Sequence, residues 1–165
     1  MKSLESQYLA LIDQHQGLIH KVCHLYCQEA ELREDLFQEI LLQLWKAYPT
    51  FRGDASISTW MYRIALNTAI ALYRKQKKSP QISDLDEVVE NLQGKEVPYE
   101  EKENQHFLYQ AIYTLNDVEK AIILLYLESY KYEEIAEIMG ISVNLVGVKI
   151  NRIKQRLKNK LSHLV

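Results

Sequence analysis

Apolar residues recur at helical spacing along most of the chain, in segments separated by short polar, glycine-containing or proline-containing stretches. The first segment runs from Leu4 to Cys27, with a break expected near Gly17. The second covers residues 33–49 and ends at a proline, which cannot continue a helix. The third runs from Ile57 to about Lys78. This pattern predicts an N-terminal bundle of three or four helices.

Local signals within this bundle predict the faces and ends of its helices. The first segment carries a stripe formed by Leu9, Ile12, Ile19, Val22, Cys23 and Tyr26. The second carries a stripe formed by Leu36, Ile40, Leu44 and Ala47. Ser56 or Ser58 is the expected N-cap of the third helix, because a serine oxygen accepts a hydrogen bond from an early backbone N–H.

The helical period returns at Gln105 and continues to about Leu161. Asn116 is expected to cap a helix, with Glu119 at the reciprocal position of a capping box. A short helix over residues 132–139 follows, then Gly140, then a long helix that Ser142 caps. The sequence therefore predicts a four-helix C-terminal domain.

Residues 79–104 lack sustained periodicity, contain two prolines and are strongly acidic, a composition typical of a linker that buries too little surface to order itself. The predicted fold class is all-α. Two small helical domains, residues 1–78 and 105–165, are joined by this flexible acidic linker.

The formal net charge of −2 over 165 residues conceals blocks of opposite sign. Residues 60–78 and 149–160 contain several lysines and arginines and no acid. The two cysteines lie one helical turn apart, so they form no disulfide framework, and no apolar run is long enough to cross a membrane. A cytoplasmic protein without direct membrane insertion is expected.

Residues 132–157 match the spacing of a helix-turn-helix. Ala136, Gly140 and Val146 supply a small contact residue, a turn glycine and a branched anchor. Asn144, Val148 and Lys149 are then the candidates for base edges, and Arg152, Lys154 and Arg156 for the DNA backbone. The alternative is that this basic amphipathic helix is only a solvated face.

Aromatic and cationic residues interleave before and along the third predicted helix. The aromatic members are Phe51, Trp60, Tyr62 and Tyr73, and the cations include Arg52, Arg63, Arg74 and Lys75. Aromatic faces stack on unpaired bases while cations follow phosphates, so the cluster favours single-stranded DNA. Taken one at a time, each aromatic is better explained as a core residue.

The preceding helix carries a mixed face that suits a protein partner better than DNA, because it is both acidic and apolar. Its members are Asp35, Gln38, Glu39, Leu42 and Gln43.

Two stretches resemble the extracytoplasmic-function (ECF) family of RNA polymerase sigma factors. DLFQEILLQLWKAYPTFRGDASISTWMYRIALNTAIALYRK is similar to their core-binding and promoter-melting domain, and YEEIAEIMGISVNLVGVKINRIKQRLKNKL to their promoter-reading C-terminal domain. Together with the intervening linker, the two stretches occur in the family's order and spacing, and the resemblance covers nearly the whole chain.

The resemblance implies an alternative sigma factor that binds core RNA polymerase, recognises promoter DNA and promotes melting without catalysing a reaction. The face formed by Asp35, Gln38, Glu39 and Leu42 would dock on the clamp helices of the polymerase. The C-terminal domain would also touch the flap, and the acidic linker would follow the RNA exit path. An anti-sigma factor is a further implied partner.

The resemblance also assigns the DNA contacts. The minus-10 and melting residues would be Phe51, Arg52, Trp60, Tyr62, Arg63, Asn67, Arg74 and Lys75. The minus-35 residues would be Ser142, Asn144, Val148, Lys149, Asn151, Arg152, Lys154 and Arg156. Some positions depart from the usual pattern of the family: Leu66, Ala71, Leu145, Gly147 and Val148.

Neither a metal, a cofactor nor an active site is expected. His20, Cys23, His24 and Cys27 share one helix face, but four zinc ligands on one continuous helix are geometrically strained. No glycine-rich phosphate loop or nucleophile motif occurs.

Two alternatives to a sigma factor stay open at this point. One is a free-standing helix-turn-helix regulator whose N-terminal bundle dimerises or senses a signal, and which would bind a palindrome as a dimer. The other is a helical adaptor that binds only proteins.

Overall fold

The structure of the protein is a computed structural model that describes residues 2–77 and 107–164. The chain divides into two compact units, Met1–Gln81 and Ile82–Val165. The predicted linker, residues 79–104, lies outside the described residues. Within the described ranges every regular element is a helix, which confirms the all-α class.

Over residues 2–77 the N-terminal unit is a three-helix bundle with a short 3-10 turn. Helix α1 spans Leu4–Tyr26, α2 spans Ala30–Ala47, the turn covers Tyr48–Thr50, and α3 spans Ile57–Lys77. The predicted N-cap is confirmed at Ser56, whose Oγ lies 3.2 Å from the Thr59 backbone nitrogen. Residues from all three helices are fully buried where they meet: Ile19, Val22, Ile40, Leu44, Met61 and Leu66.

The expected break near Gly17 is wrong, because α1 continues through that position without interruption. A single glycine costs a helix only about 1 kcal/mol, which the packing of the following turns offsets.

Leu9, predicted on the buried stripe of α1, is 58% exposed. Its neighbour Tyr8 is buried instead, and the Tyr8 hydroxyl donates a hydrogen bond to the Leu41 carbonyl oxygen. Burial raises the pKa of Tyr8 to about 12.

The described part of the C-terminal unit, residues 107–164, contains four helical segments, as the sequence predicts. Residues 107–113 form α4, Asp117–Leu127 form α5, Tyr132–Met139 form α6, and Val143–Leu164 form α7. The core of this unit is aliphatic and draws on α5, α6 and α7: Ile122, Leu125, Ile135, Val146, Ile150 and Ile153.

The predicted caps of the C-terminal unit are all confirmed. Asn116 Oδ1 accepts a hydrogen bond from the Glu119 backbone N–H at 2.8 Å, and the Glu119 carboxylate accepts from the Asn116 N–H. Gly140 ends α6 in the left-handed region, with φ of 68°. Ser142 Oγ accepts from the Leu145 N–H at 3.1 Å and starts α7. These caps set where the last two helices begin and end.

Alanine at two glycines should change stability in opposite directions. Gly17 lies inside α1 with open space around it, so Gly17→Ala should stabilise the N-terminal unit by roughly 0.5–1 kcal/mol. Gly140 has positive φ, so Gly140→Ala should destabilise the C-terminal unit by about 1 kcal/mol. Hydrogen exchange of peptides from each unit measures both effects separately. Equal effects of the same sign would contradict the assigned backbone conformations.

Candidate nucleic-acid interface

Helices α6 and α7 with the turn at Gly140 form a helix-turn-helix. Val146, Ile150 and Ile153 are completely buried, which confirms the inward face that their spacing predicted. The opposite face of α7 is therefore exposed.

The outward face of α7 begins with uncharged residues and becomes cationic. Its exposed members are Asn144, Val148, Asn151, Arg152 and Gln155. Ser142 is exposed as well, with its oxygen engaged as the N-cap. Since residues 138–165 contain no acid, no like-charged group on this segment would repel DNA phosphates.

Lys149 and Lys154 lie on opposite flanks of α7. Lys149 is half-buried next to the inward face. The Lys154 Nζ lies 4.3 Å from the centroid of the Tyr126 ring on α5. A hydrogen bond with Tyr126 raises the pKa of Lys154 above its ordinary value. Both cations are therefore displaced from the face centred on Val148.

Arg156 makes an intramolecular ion pair that its sequence position did not reveal. Its Nη1 lies 2.7 Å from the Glu119 Oε2 at the start of α5. The Glu119 side chain is only 8% exposed, so the arginine compensates a nearly buried carboxylate. Arg156 therefore joins α5 to α7, and its predicted contact with the DNA backbone stays a prediction.

In the N-terminal unit, α3 presents a cationic face. Arg63, Asn67 and Arg74 are exposed and recur at intervals that place them along one side of the helix. Lys75 is exposed beside them, and Arg52 is exposed in the preceding loop. The structure thus brings together the polar residues that the sequence assigned to the minus-10 region.

The aromatic part of that prediction holds only in part. Phe51 and Trp60 are half-buried, and their ring centroids lie 4.9 Å apart, next to the α3 face. Tyr62 was wrongly placed among the DNA-contacting residues, because it is only 3% exposed. Tyr62 lies about 200° around the helix from Trp60, so the Tyr62 ring is on the side of α3 that faces the bundle.

The mixed face of α2 is present on the surface. Asp35, Gln38 and Leu42 are exposed, and Leu42 is 45% exposed despite being apolar. Glu39 is half-buried and accepts a hydrogen bond from Gln43 Nε2 at 2.9 Å. Trp45, one turn after Leu42, is 37% exposed and extends the apolar part of this face. The sequence interpretation missed Trp45, although its spacing from Leu42 could have indicated it.

The cysteine-histidine face of α1 has buried cysteines and exposed histidines. Cys23 and Cys27 are buried and form no disulfide. Burial, followed by the neighbouring Cys27, raises the pKa of Cys23 to about 12. His20 is exposed and stacks on Phe37 with ring centroids 4.6 Å apart. Across residues 2–77 and 107–164, no three His, Cys, Asp or Glu side chains are grouped to hold a metal ion.

None of the described helices combines the length and apolar character needed to cross a membrane. The surfaces on these helices define the class of the protein: a two-unit helical protein with a helix-turn-helix and a second cationic face.

Comparison with known proteins gives the family. The model of Sigma-70 region 2 matches residues 11–79, and that of Sigma-70, region 4 matches residues 108–157. The ECF RNA polymerase sigma-E factor of Escherichia coli strain K12 is 33% identical, over 88% of this chain and 83% of its own length. The sigma-E factor of Haemophilus influenzae is 31% identical, over 94% of this chain and 87% of its own length. The chain belongs to the ECF family of RNA polymerase sigma factors.

Two solved structures share the fold. The sigma factor RpoE of Bartonella quintana, in complex with the anti-sigma factor NepR, has a TM-score of 0.68 at 18% identity and covers 98% of each chain. CnrH, in complex with the cytosolic domain of CnrY, has a TM-score of 0.67 at 19% identity and covers 94% of this chain and 88% of its own. As an alternative sigma factor, the protein acts in promoter recognition and transcription initiation. Sigma factors are non-catalytic initiation factors.

Proposed function

We propose that three separate surfaces divide the work of this sigma factor. The observation that carries the proposal is the contrast in charge and polarity between the exposed faces of α2, α3 and α7. The first is acidic and apolar, the second cationic beside two aromatic rings, and the third uncharged at its start and cationic further on. Each combination suits a different ligand.

In this proposal the α2 face binds the clamp helices of core RNA polymerase. Leu42 and Trp45 are apolar groups on an otherwise polar helix surface, and exposed apolar residues rimmed by polar ones are typical of protein interfaces. Asp35, Gln38 and Glu39 form the polar rim. The negative charge of Asp35 and Glu39 is unsuited to DNA.

The α3 face binds the minus-10 element and stabilises its melted strand. Arg63 and Arg74 suit phosphates, and Asn67 between them has both donor and acceptor groups for a base edge. The Phe51 and Trp60 rings lie next to this face, where a base released from the duplex can stack. Stacking and phosphate contacts together offset the cost of unstacking, which is a few kcal/mol per base step.

The outward face of α7 reads the minus-35 element in the major groove. Asn144, Val148 and Asn151 occupy the early, outward positions that contact base edges in helix-turn-helix proteins. Arg152 follows on the same face and suits a phosphate. Lys149 and Lys154 approach the backbone from the two flanks.

The chain has no enzymatic activity of its own, and promoter opening uses binding energy alone. It works in the cytoplasm. An anti-sigma factor controls it, a proposal supported by the fold that it shares with two sigma factors solved with anti-sigma partners.

Reconstitution with core RNA polymerase tests this proposal. The full-length chain and purified core enzyme are incubated with a library of genomic fragments, and the transcripts are sequenced. Initiation from a subset of fragments that share two spaced elements is the expected result. Specific binding to a palindrome by the chain alone, with no transcription in the presence of core enzyme, would instead support a free-standing regulator.

The ion pair of Arg156 predicts different salt dependences for two arginines. Arg152→Gln should lower the slope of log affinity against log salt by about 1, because it removes one phosphate contact. Arg156→Gln should leave the slope nearly unchanged and destabilise the C-terminal unit by roughly 1–2 kcal/mol, because the nearly buried Glu119 loses a partner that is itself half exposed to solvent. Holoenzyme binding to a promoter duplex between 50 and 200 mM salt, roughly the range where such slopes are measured, tests both. Equal slopes for the two variants would contradict the distinction.

A further inference from the structure

The recognition helix exposes an apolar pair where it is expected to enter the major groove. Leu145 is 40% exposed and Val148 is 44% exposed. They lie three positions apart, so their side chains are neighbours on the helix, with Cβ atoms about 5–6 Å apart. Asn144 and Asn151 lie on either side of the pair along the chain, and both are exposed.

Apolar groups at this position need a ligand with an apolar feature. Among the base edges of the major groove, only thymine presents a methyl group, and an aliphatic side chain contacts it favourably. Base pairs follow one another at about 3.4 Å, so two groups separated by 5–6 Å span one to two base steps. The two side chains can therefore contact two nearby thymines.

The polar residues around the pair favour DNA over a protein as its ligand. The whole segment 138–165 lacks acidic residues, and Arg152 is exposed one turn after Val148. A cationic surface of this kind attracts phosphates, and it brings the apolar pair to the groove floor between the two strands. Val143, another apolar residue of α7, is 41% exposed but lies about 140° around the helix from Val148.

We propose that Leu145 and Val148 determine minus-35 specificity by contacting the 5-methyl groups of two thymines within two base steps of each other. This inference rests on the proposed role of α7 and names the chemical feature that it reads. Asn144 sits beside the pair and suits an adjacent adenine, to which an asparagine side chain can form two hydrogen bonds. A minus-35 element rich in A·T pairs follows.

Deoxyuridine tests this proposal, because it differs from thymidine only by the methyl group. Holoenzyme is first used to select duplexes from a library that is randomised upstream of a fixed minus-10 region. In the best-bound duplex each thymine of the minus-35 region is then replaced, one at a time, by deoxyuridine. At one or two positions this replacement should weaken binding of the wild-type holoenzyme about three- to tenfold.

Variants assign the methyl contacts to side chains. Val148→Ala and Leu145→Ala should each lose the discrimination between thymine and uracil at one position and keep it at the other. Val143→Ala is the matched control, since it removes a similarly exposed valine from a different side of the same helix, and it should discriminate as the wild type does.

Three outcomes would overturn the proposal, and they are distinguishable. If holoenzyme selects a sequence but binds the thymine and uracil duplexes equally well, the minus-35 role of α7 stands and the proposed methyl contact is wrong. A variant that weakens holoenzyme formation without altering the discrimination would show that the pair faces a protein. Failure of the holoenzyme to select any sequence would contradict the proposed function itself.

Discussion

Replacing Leu42 by aspartate is expected to reduce the affinity of this sigma factor for core RNA polymerase about a hundredfold or more. Leu42 is a large apolar side chain that is 45% exposed at the centre of the mixed α2 face. If this face becomes buried against the polymerase, an unpaired carboxylate there costs several kcal/mol, and each 1.4 kcal/mol corresponds to about a factor of ten. Titration of labelled core enzyme with each variant measures the change.

Leu9→Asp is the matched control for this substitution. Leu9 is a leucine on α1 that is 58% exposed, so it allows the same change on a surface that the proposal leaves unused. We expect Leu9→Asp to bind core enzyme as the wild type does, and both variants to unfold at similar temperatures. Equal affinities for the two variants would exclude α2 as the polymerase-binding surface.

Reversing the charge of Arg63 is expected to reduce open-complex formation by roughly ten- to a hundredfold. Arg63 is exposed on the α3 face near the Phe51 and Trp60 rings. A glutamate there loses a charge-assisted contact worth about 1.5–3 kcal/mol and adds repulsion from the phosphates. Permanganate footprinting of unpaired thymines near the transcription start measures how much promoter is open.

Two further measurements separate melting from folding and from polymerase binding. A promoter with a pre-formed mismatch bubble should partly rescue Arg63→Glu, because the unstacking cost has already been met. Lys2→Glu reverses an exposed charge at the start of the chain and should melt promoters normally. An unchanged footprint for Arg63→Glu would contradict the proposed role of the α3 face.

The parts of the fold that sequence predicts well are those with a local chemical signal. Asn116, Gly140 and Ser142 act on backbone groups three or four residues away, so their roles follow from residue type and spacing. The inward face of α7 follows from the helical period in the same way. These elements also set the orientation of the outward face, and this is why most of the minus-35 candidates are exposed as expected.

Sequence reasoning is wrong or incomplete where composition or distant contacts decide the outcome. Tyr62 belongs to a basic-aromatic cluster in the sequence, but a cluster carries no information about which side of a helix each ring occupies. Arg156 pairs with Glu119, a residue 37 positions earlier that no local pattern connects to it. At Gly17, the prediction gave too much weight to a small intrinsic penalty that tertiary packing overcomes.

The most direct test of the central claim is the affinity of the purified full-length chain for core RNA polymerase without any DNA. We expect a saturable one-to-one complex with a dissociation constant in roughly the nanomolar range, as for a stable protein interface. The complex should then initiate transcription on selected promoters. Absence of any complex at micromolar concentrations, with a chain shown to be folded, would contradict the account.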